Sequence, residues 1–347
     1  MRRLALVLVL VLLVAGCTTP DQKQPAPAPS ADLGKPPPGV AVNPGPFEAG
    51  PFEAPEKGAY LGAWIKPESL THAGRIEAVN GLEDDLGRRL NILNTYRRFE
   101  QMVGTESDQE FLNTGADLMI SWATGDNRSI VDGEHDRTIR EQARAIRKVD
   151  KPVLLRMRWE MDRPNLQATM WSGADYIAAW KYVRRIFAEE RTTNVSWVWC
   201  PTAEGFVRGN APEFYPGDDQ VDWTCVDVYA GSKFQPIGQL MGPFLTWAAQ
   251  RPKPIIVGEF GVAKAWGSSS RAAWLKDAAR TFKANPQIKG VAYFESDPEG
   301  NGPNQQFQLT GDKAAFQSFK KMTKDPYFDQ IPPHGGPGSA ARGRRGE

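Results

Sequence analysis

Two stretches carry the residue types that acid–base chemistry needs. In LLRMRWEMDRP, Leu154 to Pro164, a buried-strand pattern runs to Met157 and is followed by Arg158, Trp159, Glu160 and Asp162. In KPIIVGEFG a second apolar run ends on Glu259. Splitting a glycosidic bond in the common way takes two carboxyl groups, one giving a proton to the leaving oxygen and one acting at the anomeric carbon. Separations of about 5–5.5 Å accompany retention and about 6.5–9.5 Å accompany inversion. An indole beside a carboxyl excludes water and disfavours the ionised form, so Trp159 should raise the pKa of Glu160, whereas Arg158 or Arg163 should lower it.

Two such carboxylates need a frame that brings them together. Short apolar runs recur as AYLGAWI, LNILNTY, ADLMISWA, PVLLRMRWE, VSWVWC, WTCVDVYA, PIIVGEF and KGVAYFE, most of them separated by amphipathic stretches. Between the fourth and fifth runs, Tyr176, Trp180, Val183 and Phe187 fall on one helical face. Eight near-continuous apolar strands alternating with helices predict an α/β fold, a closed parallel (β/α)8 TIM barrel, whose active site lies at the C-terminal strand ends. Those ends carry Trp64, Arg98, Trp122, Glu160, Trp199, Tyr229, Glu259 and Glu295. Aromatic faces stack on the apolar faces of pyranose rings and charged groups bond the hydroxyls, so this set suits a sugar. Trp159 is expected in the same cleft, and Trp266, in the loop after the seventh strand, at its rim.

The first 17 residues, MRRLALVLVLVLLVAGC, have the charged start, short apolar run and small-residue end of an export signal. Their ending, LVAGC, resembles the bacterial lipobox, which implies lipidation at Cys17 and a membrane anchor on the outer face of the cell. Residues 18–57 are rich in Pro, Ala and Gly, a composition that predicts an extended tether. Residues 58–327 then form the barrel and 328–347 a disordered tail. The remaining cysteines, Cys200 and Cys225, lie on successive strands at different depths, which favours two buried thiols over a bridge. Three scattered histidines make a metal site unexpected, and no cofactor is called for. A net charge of +1 over 347 residues gives no reason to expect nucleic acid. A monomer acting on a polysaccharide is expected.

The chain resembles glycoside hydrolase family 26 from about Tyr60 to Leu309. KPVLLRMRWEMDRP is similar to the family segment of Arg, two residues, then His-Glu-Met-Asn-Gly, and DYIAAWKYVRRIFAEERTTNVSWVWCP to the helix and strand that follow. FYPGDDQVDWTCVDVY resembles its Tyr-Pro-Gly-Asp, Val-Asp-Trp and Asp-x-Tyr elements, the last placing Asp227 and Tyr229, and KPIIVGEFG its nucleophile strand. The resemblance implies Glu160 as acid/base, Glu259 as nucleophile, Tyr229 as the nucleophile's hydrogen-bond partner and Arg156 as the strand-four arginine. Trp64, Arg98, Trp122, Arg156, Trp159, Asp162, Trp199, Asp227, Trp266 and Glu295 are expected to contact substrate. Two departures stand out: the family His before the acid/base is Trp159 here, and Asn-Gly after it is Asp162-Arg163. The family's usual activities are endo-β-mannanase, β-1,3-xylanase and mixed-linkage β-glucanase. A retaining β-glycanase is therefore expected, with a non-catalytic glycan binder or a transglycosylating surface lipoprotein as the alternatives.

Overall fold

The computed structural model describes residues 49–330. Cys17, the export signal, residues 18–48 and the tail after residue 330 lie outside the described residues. The strands are β1 (Tyr60–Ile65), β2 (Ile92–Arg98), β3 (Asp117–Ala123), β4 (Val153–Met157), β5 (Val195–Trp199), β6 (Trp223–Ala230), β7 (Ile255–Val262) and β8 (Ile288–Glu295). They pair in chain order, all parallel, and β1 closes on β8. This is the (β/α)8 barrel expected from the eight apolar runs. No helix among the described residues is long and apolar enough to cross a membrane.

Alternation along each strand sorts the side chains into two cores. On β3, Leu118, Ile120 and Trp122 pack outward under the helices, whereas Met119 and Ser121 face the barrel interior. The helix Gly173–Glu189 covers the outer layer, with Tyr176, Trp180, Val183 and Phe187 fully buried as their spacing predicts. Its start is capped by Ser172, whose side chain accepts the Asp175 N–H. Inside the barrel, Tyr60, Ile92, Leu154, Trp223 and Ile256 form an apolar floor, and Cys200 and Cys225 lie with them.

Two sequence expectations change here. Cys200 and Cys225 are joined in a disulfide, with Cα atoms 4.3 Å apart. The two cysteines lie at the same depth because Cys200 follows the end of β5 while β6 begins higher in the barrel, Val198 pairing with Trp223 and Trp199 with Thr224. The predicted tether also ends early, because residues 49–57 pack against the barrel. Phe52 is 1% exposed, edge-on to Tyr60 and Trp223, and its N–H donates to Ser196 Oγ at 2.9 Å. The Ala49 carbonyl accepts from Ser196 Oγ and from the Trp223 indole. One aromatic among small residues suffices to close the N-terminal end of the barrel, where average composition signals only a linker. Phe52→Ala should therefore cost about 3–5 kcal/mol of stability, read from denaturant unfolding, as for a buried phenylalanine that leaves a cavity.

Candidate active site

Inward-facing residues near the C-terminal strand ends surround a cleft of about 880 Å3, lined among others by Trp64, Tyr96, Trp159, Glu160, Arg163, Tyr229, Glu259, Phe294 and Phe307. Glu259 reaches it through an irregularity in β7. Strict alternation from Ile256 would turn residue 259 outward. The register instead runs Val226 to Val257 and then Asp227 to Glu259, so Gly258 is an extra residue that re-aims the glutamate inward. Only glycine fits there: a Cβ at Gly258 would lie 2.5 Å from Cys225 Sγ and 2.9 Å from Asp227 Oδ1.

Three donors hold the Glu259 carboxylate. Tyr96 OH and Arg156 Nη1 donate to Oε1 at 2.6 and 3.0 Å, and Tyr229 OH donates to Oε2 at 2.5 Å. Arg156 is fully buried and is also ion-paired to Asp227 beneath. Its charge thus serves two carboxylates in a place where an unpaired one would be costly. The two tyrosines are raised well above their ordinary pKa, first by burial and then by the Glu259 charge, and so remain donors.

Glu160 stands in the turn after β4, where Arg158 (φ +45°) and Glu160 itself (φ +57°) both adopt left-handed backbone. Such conformations cost on the order of 1–3 kcal/mol each in non-glycine residues and persist where the surroundings enforce them. Here the Arg158 N–H donates to the Trp122 carbonyl at 2.8 Å and the Glu160 N–H to the Cys200 carbonyl at 2.6 Å. The turn brings one oxygen each of Glu160, Asp227 and Glu259 within 4.8 Å of one another. Burial, and then the Glu259 charge, push the Glu160 carboxyl up to about 8, against the opposing pull of Arg163 and Arg156. Desolvation thus outweighs the neighbouring arginines, and the cation that touches the carboxyl is Arg163, with Nη2 2.8 Å from Oε1.

The cleft gathers Trp64, Trp159, Glu160, Tyr229 and Glu259, with Arg156 and Asp227 directly beneath. The other expected contacts lie elsewhere. Trp122 and Trp199 face outward by alternation and are buried under the helices, donating to the carbonyls of Phe99 and Phe214. Glu295 also faces away from the interior. It accepts the Leu309 and Thr310 N–H groups and so pins the segment that brings Phe307 into the cleft. Arg98, the last residue of β2, is exposed and does not line the cleft, and it is the outward-facing Arg97 that is buried, paired with Asp108. Asp162 is buried beside the cleft, accepting the Thr202 N–H and hydroxyl at 2.9 and 2.5 Å, and so fixes the cap of the helix Ala203–Arg208. Trp266 donates to the Gly231 carbonyl and packs on Phe234 outside the cleft lining. Tyr96 and Phe294 are absent from the sequence expectation. Alternation could have identified both, since each shares its strand's inward parity, Tyr96 with Asn94 and Phe294 with Ala292.

No protein-family profile matches the chain. Endoglucanase H of Acetivibrio thermocellus is 26% identical over 262 residues, which cover 69% of this chain and 28% of that protein. A β-1,3-xylanase of a Vibrio species is 26% identical over 144 residues, 39% of this chain and 29% of the other. The chain thus spans under a third of the length of either relative. A β-mannanase of glycoside hydrolase family 26 from Bacteroides ovatus superposes with a TM-score of 0.59 at 17% identity, covering 80% of this chain and 91% of that one. The barrel therefore shares its fold with family 26 enzymes.

Proposed function

We propose that this chain is a family 26-type glycoside hydrolase, a retaining endo-β-glycanase that cleaves a polysaccharide by double displacement. The observation that carries the reading is the approach of Glu160 and Glu259 to within 4.8 Å, oxygen to oxygen, across an aromatic cleft. That supports the spacing of about 5–5.5 Å that goes with a nucleophile over the about 6.5–9.5 Å of an inverting pair. Glu259, oriented by Tyr96, Tyr229 and Arg156, attacks the anomeric carbon. Glu160, neutral below about pH 8, gives its proton to the leaving oxygen. In the second step Glu160, now ionised, takes a proton from water as the water attacks the same carbon and releases Glu259. The hydrogen bond from Tyr229 OH stabilises the Glu259 carboxylate until its bond to the anomeric carbon neutralises the charge.

The polymers named for the similar proteins are β-mannan, β-1,3-xylan and the glucan implied by an endoglucanase. Reducing-sugar release on these three, with the anomer of the first product followed by NMR, tests the reading. Release of the inverted anomer would overturn the mechanism, and no release from any of them would leave the glycan-binding alternative. Export with a lipid on Cys17 belongs to the same proposal, and a disulfide inside the barrel suits an oxidising compartment.

Arg163 gives the reading a pH signature. The charged groups facing Glu160 are Arg156, Arg158 and Arg163 from β4 and its turn, Asp162 beside them, Asp227 and Tyr229 from β6, and Glu259 from β7. Arg163 alone among these cations lies on the cleft wall in contact with the carboxyl. It favours the ionised form, so Arg163→Gln should raise the Glu160 pKa further. The alkaline limb of kcat/KM should then move up by roughly one pH unit, a figure reduced for the half-exposed guanidinium. The acid limb should stay in place and Arg163→Lys should restore most of the shift. A pH profile that keeps its shape and only loses height would assign Arg163 to packing.

A further inference from the structure

Trp171 is 44% exposed, one of the few large apolar side chains open to solvent among the described residues. Its backbone is unusual as well, with φ +60° and ψ −85°, near the rare γ-turn well that bulky residues avoid. An exposed indole gains little from burial, so nothing in core packing accounts for strain at this position. The ring is nonetheless held firmly. Its Nε1 donates to Asp126 Oδ2 at 2.6 Å, and the Arg128 guanidinium lies 4.1 Å from the ring centre. Arg128 is itself fixed by Asp175, which accepts from the Ser172 hydroxyl. Beneath, Asn127 donates to the Met170 carbonyl at 3.0 Å and ties the two loops together.

Both loops belong to the catalytic face. Asp126 and Arg128 follow β3 and Trp171 follows β4, and loops after barrel strands sit at the C-terminal end. Pro164 and Asn165 line the cleft, and from there a short 3-10 turn and a helical turn lead to Trp171. Six residues at about 1.5–2 Å of rise keep Trp171 within roughly 9–12 Å of Asn165 along the chain. The segment continues from the turn that carries Glu160, the group assigned to the leaving oxygen, so a subsite on this loop would extend the leaving-group side.

We propose that Trp171 is an outlying subsite that stacks a pyranose ring of the polymer on the leaving-group side of the cleft. The ring surface turned away from Arg128 and Asp126 is the stacking face, and Asp126, Arg128 and Asp175 around it offer donors and acceptors for hydroxyls. This rests on the glycanase reading for its substrate. It predicts a preference for long chains that depends on a strained surface residue remote from the reacting bond.

The test uses Trp171→Gly, because glycine accepts the backbone angles and removes only the ring, with Trp171→Phe as the variant that keeps an aromatic face. Two quantities are measured on the full chain: the ratio of kcat/KM on polymer to kcat/KM on a short aryl glycoside, and retention in native gels containing β-mannan, β-1,3-xylan or β-glucan. The ratio should fall roughly tenfold in the glycine variant, retention should weaken, and phenylalanine should restore most of both. A parallel loss on both substrates with the ratio unchanged would make Trp171 structural and overturn the proposal. So would retention equal to wild type, or no retention of the wild type by any polymer. Absence of hydrolysis with retention that still depends on Trp171 would refute the glycanase reading and leave this subsite standing.

Discussion

Turnover of every polymer should fall by roughly 10^6-fold in Glu259→Ala, the scale seen when a covalent nucleophile is removed, and azide should restore part of it with inverted product. The expectation follows from what surrounds the carboxylate. Truncation opens a space bounded by Tyr96 OH, Tyr229 OH and Arg156 Nη1, all donors that held the lost oxygens. A small anion fits that space and can attack the anomeric carbon from the face Glu259 used, in one displacement, while Glu160 still protonates the leaving oxygen. One displacement inverts where two retain. The variant should also fold, because Arg156 keeps its ion pair with Asp227 and no buried cation is left alone. A glycosyl azide of retained configuration, or turnover within tenfold of wild type, would remove Glu259 from the nucleophile's role.

Glu160→Ala should separate substrates by their leaving groups. Polymer cleavage should drop by about 10^2–10^4-fold, the usual contribution of a general acid. An aryl glycoside with a good leaving group needs no proton in the first step and should give a rapid burst of phenol. The second step then lacks its base, so the sugar should accumulate on Glu259, visible as a mass increase on the peptide that contains it. Azide added at that stage should give the retained product, opposite to the outcome in Glu259→Ala. Equal losses on activated and unactivated substrates would show that Glu160 is not the proton donor.

The strands and their order are legible in the sequence because a strand buried on both faces needs a continuous apolar run and helices need period 3.6. Glu160 and Glu259 stand out as candidates because a carboxylate at the end of such a run lies at the C-terminal face of the barrel. Which strand-end aromatics face the cleft is harder, since an apolar run hides its own parity. Trp122 and Trp199 differ from Trp64 by a single step of alternation, visible only once Ser121, Val198 and Gly62 are known to point inward. For Glu259 even correct parity fails, because the extra residue Gly258 shifts β7 by one. Asp162 and Glu295 are misassigned for another reason: a buried carboxylate that fixes a loop has the same residue type as one that binds a hydroxyl, and only its partners tell them apart. The disulfide depends on the vertical offset of two strands, which no local pattern encodes.

That bridge gives the molecule a record of its own history. Cys200 and Cys225 are at most 1% exposed inside a closed barrel, between the apolar floor and the buried carboxylates. An oxidant or a thiol meets them only when the strands part, so the bond forms most readily before the barrel closes. It cross-links residues 25 positions apart, a constraint on the unfolded chain worth about 3–4 kcal/mol in the loop-entropy picture. The carbonyl of Cys200 also anchors the turn of Glu160. A barrel closed around reduced cysteines would keep two thiols beside the Glu160 turn, out of reach of later oxidants until its strands part.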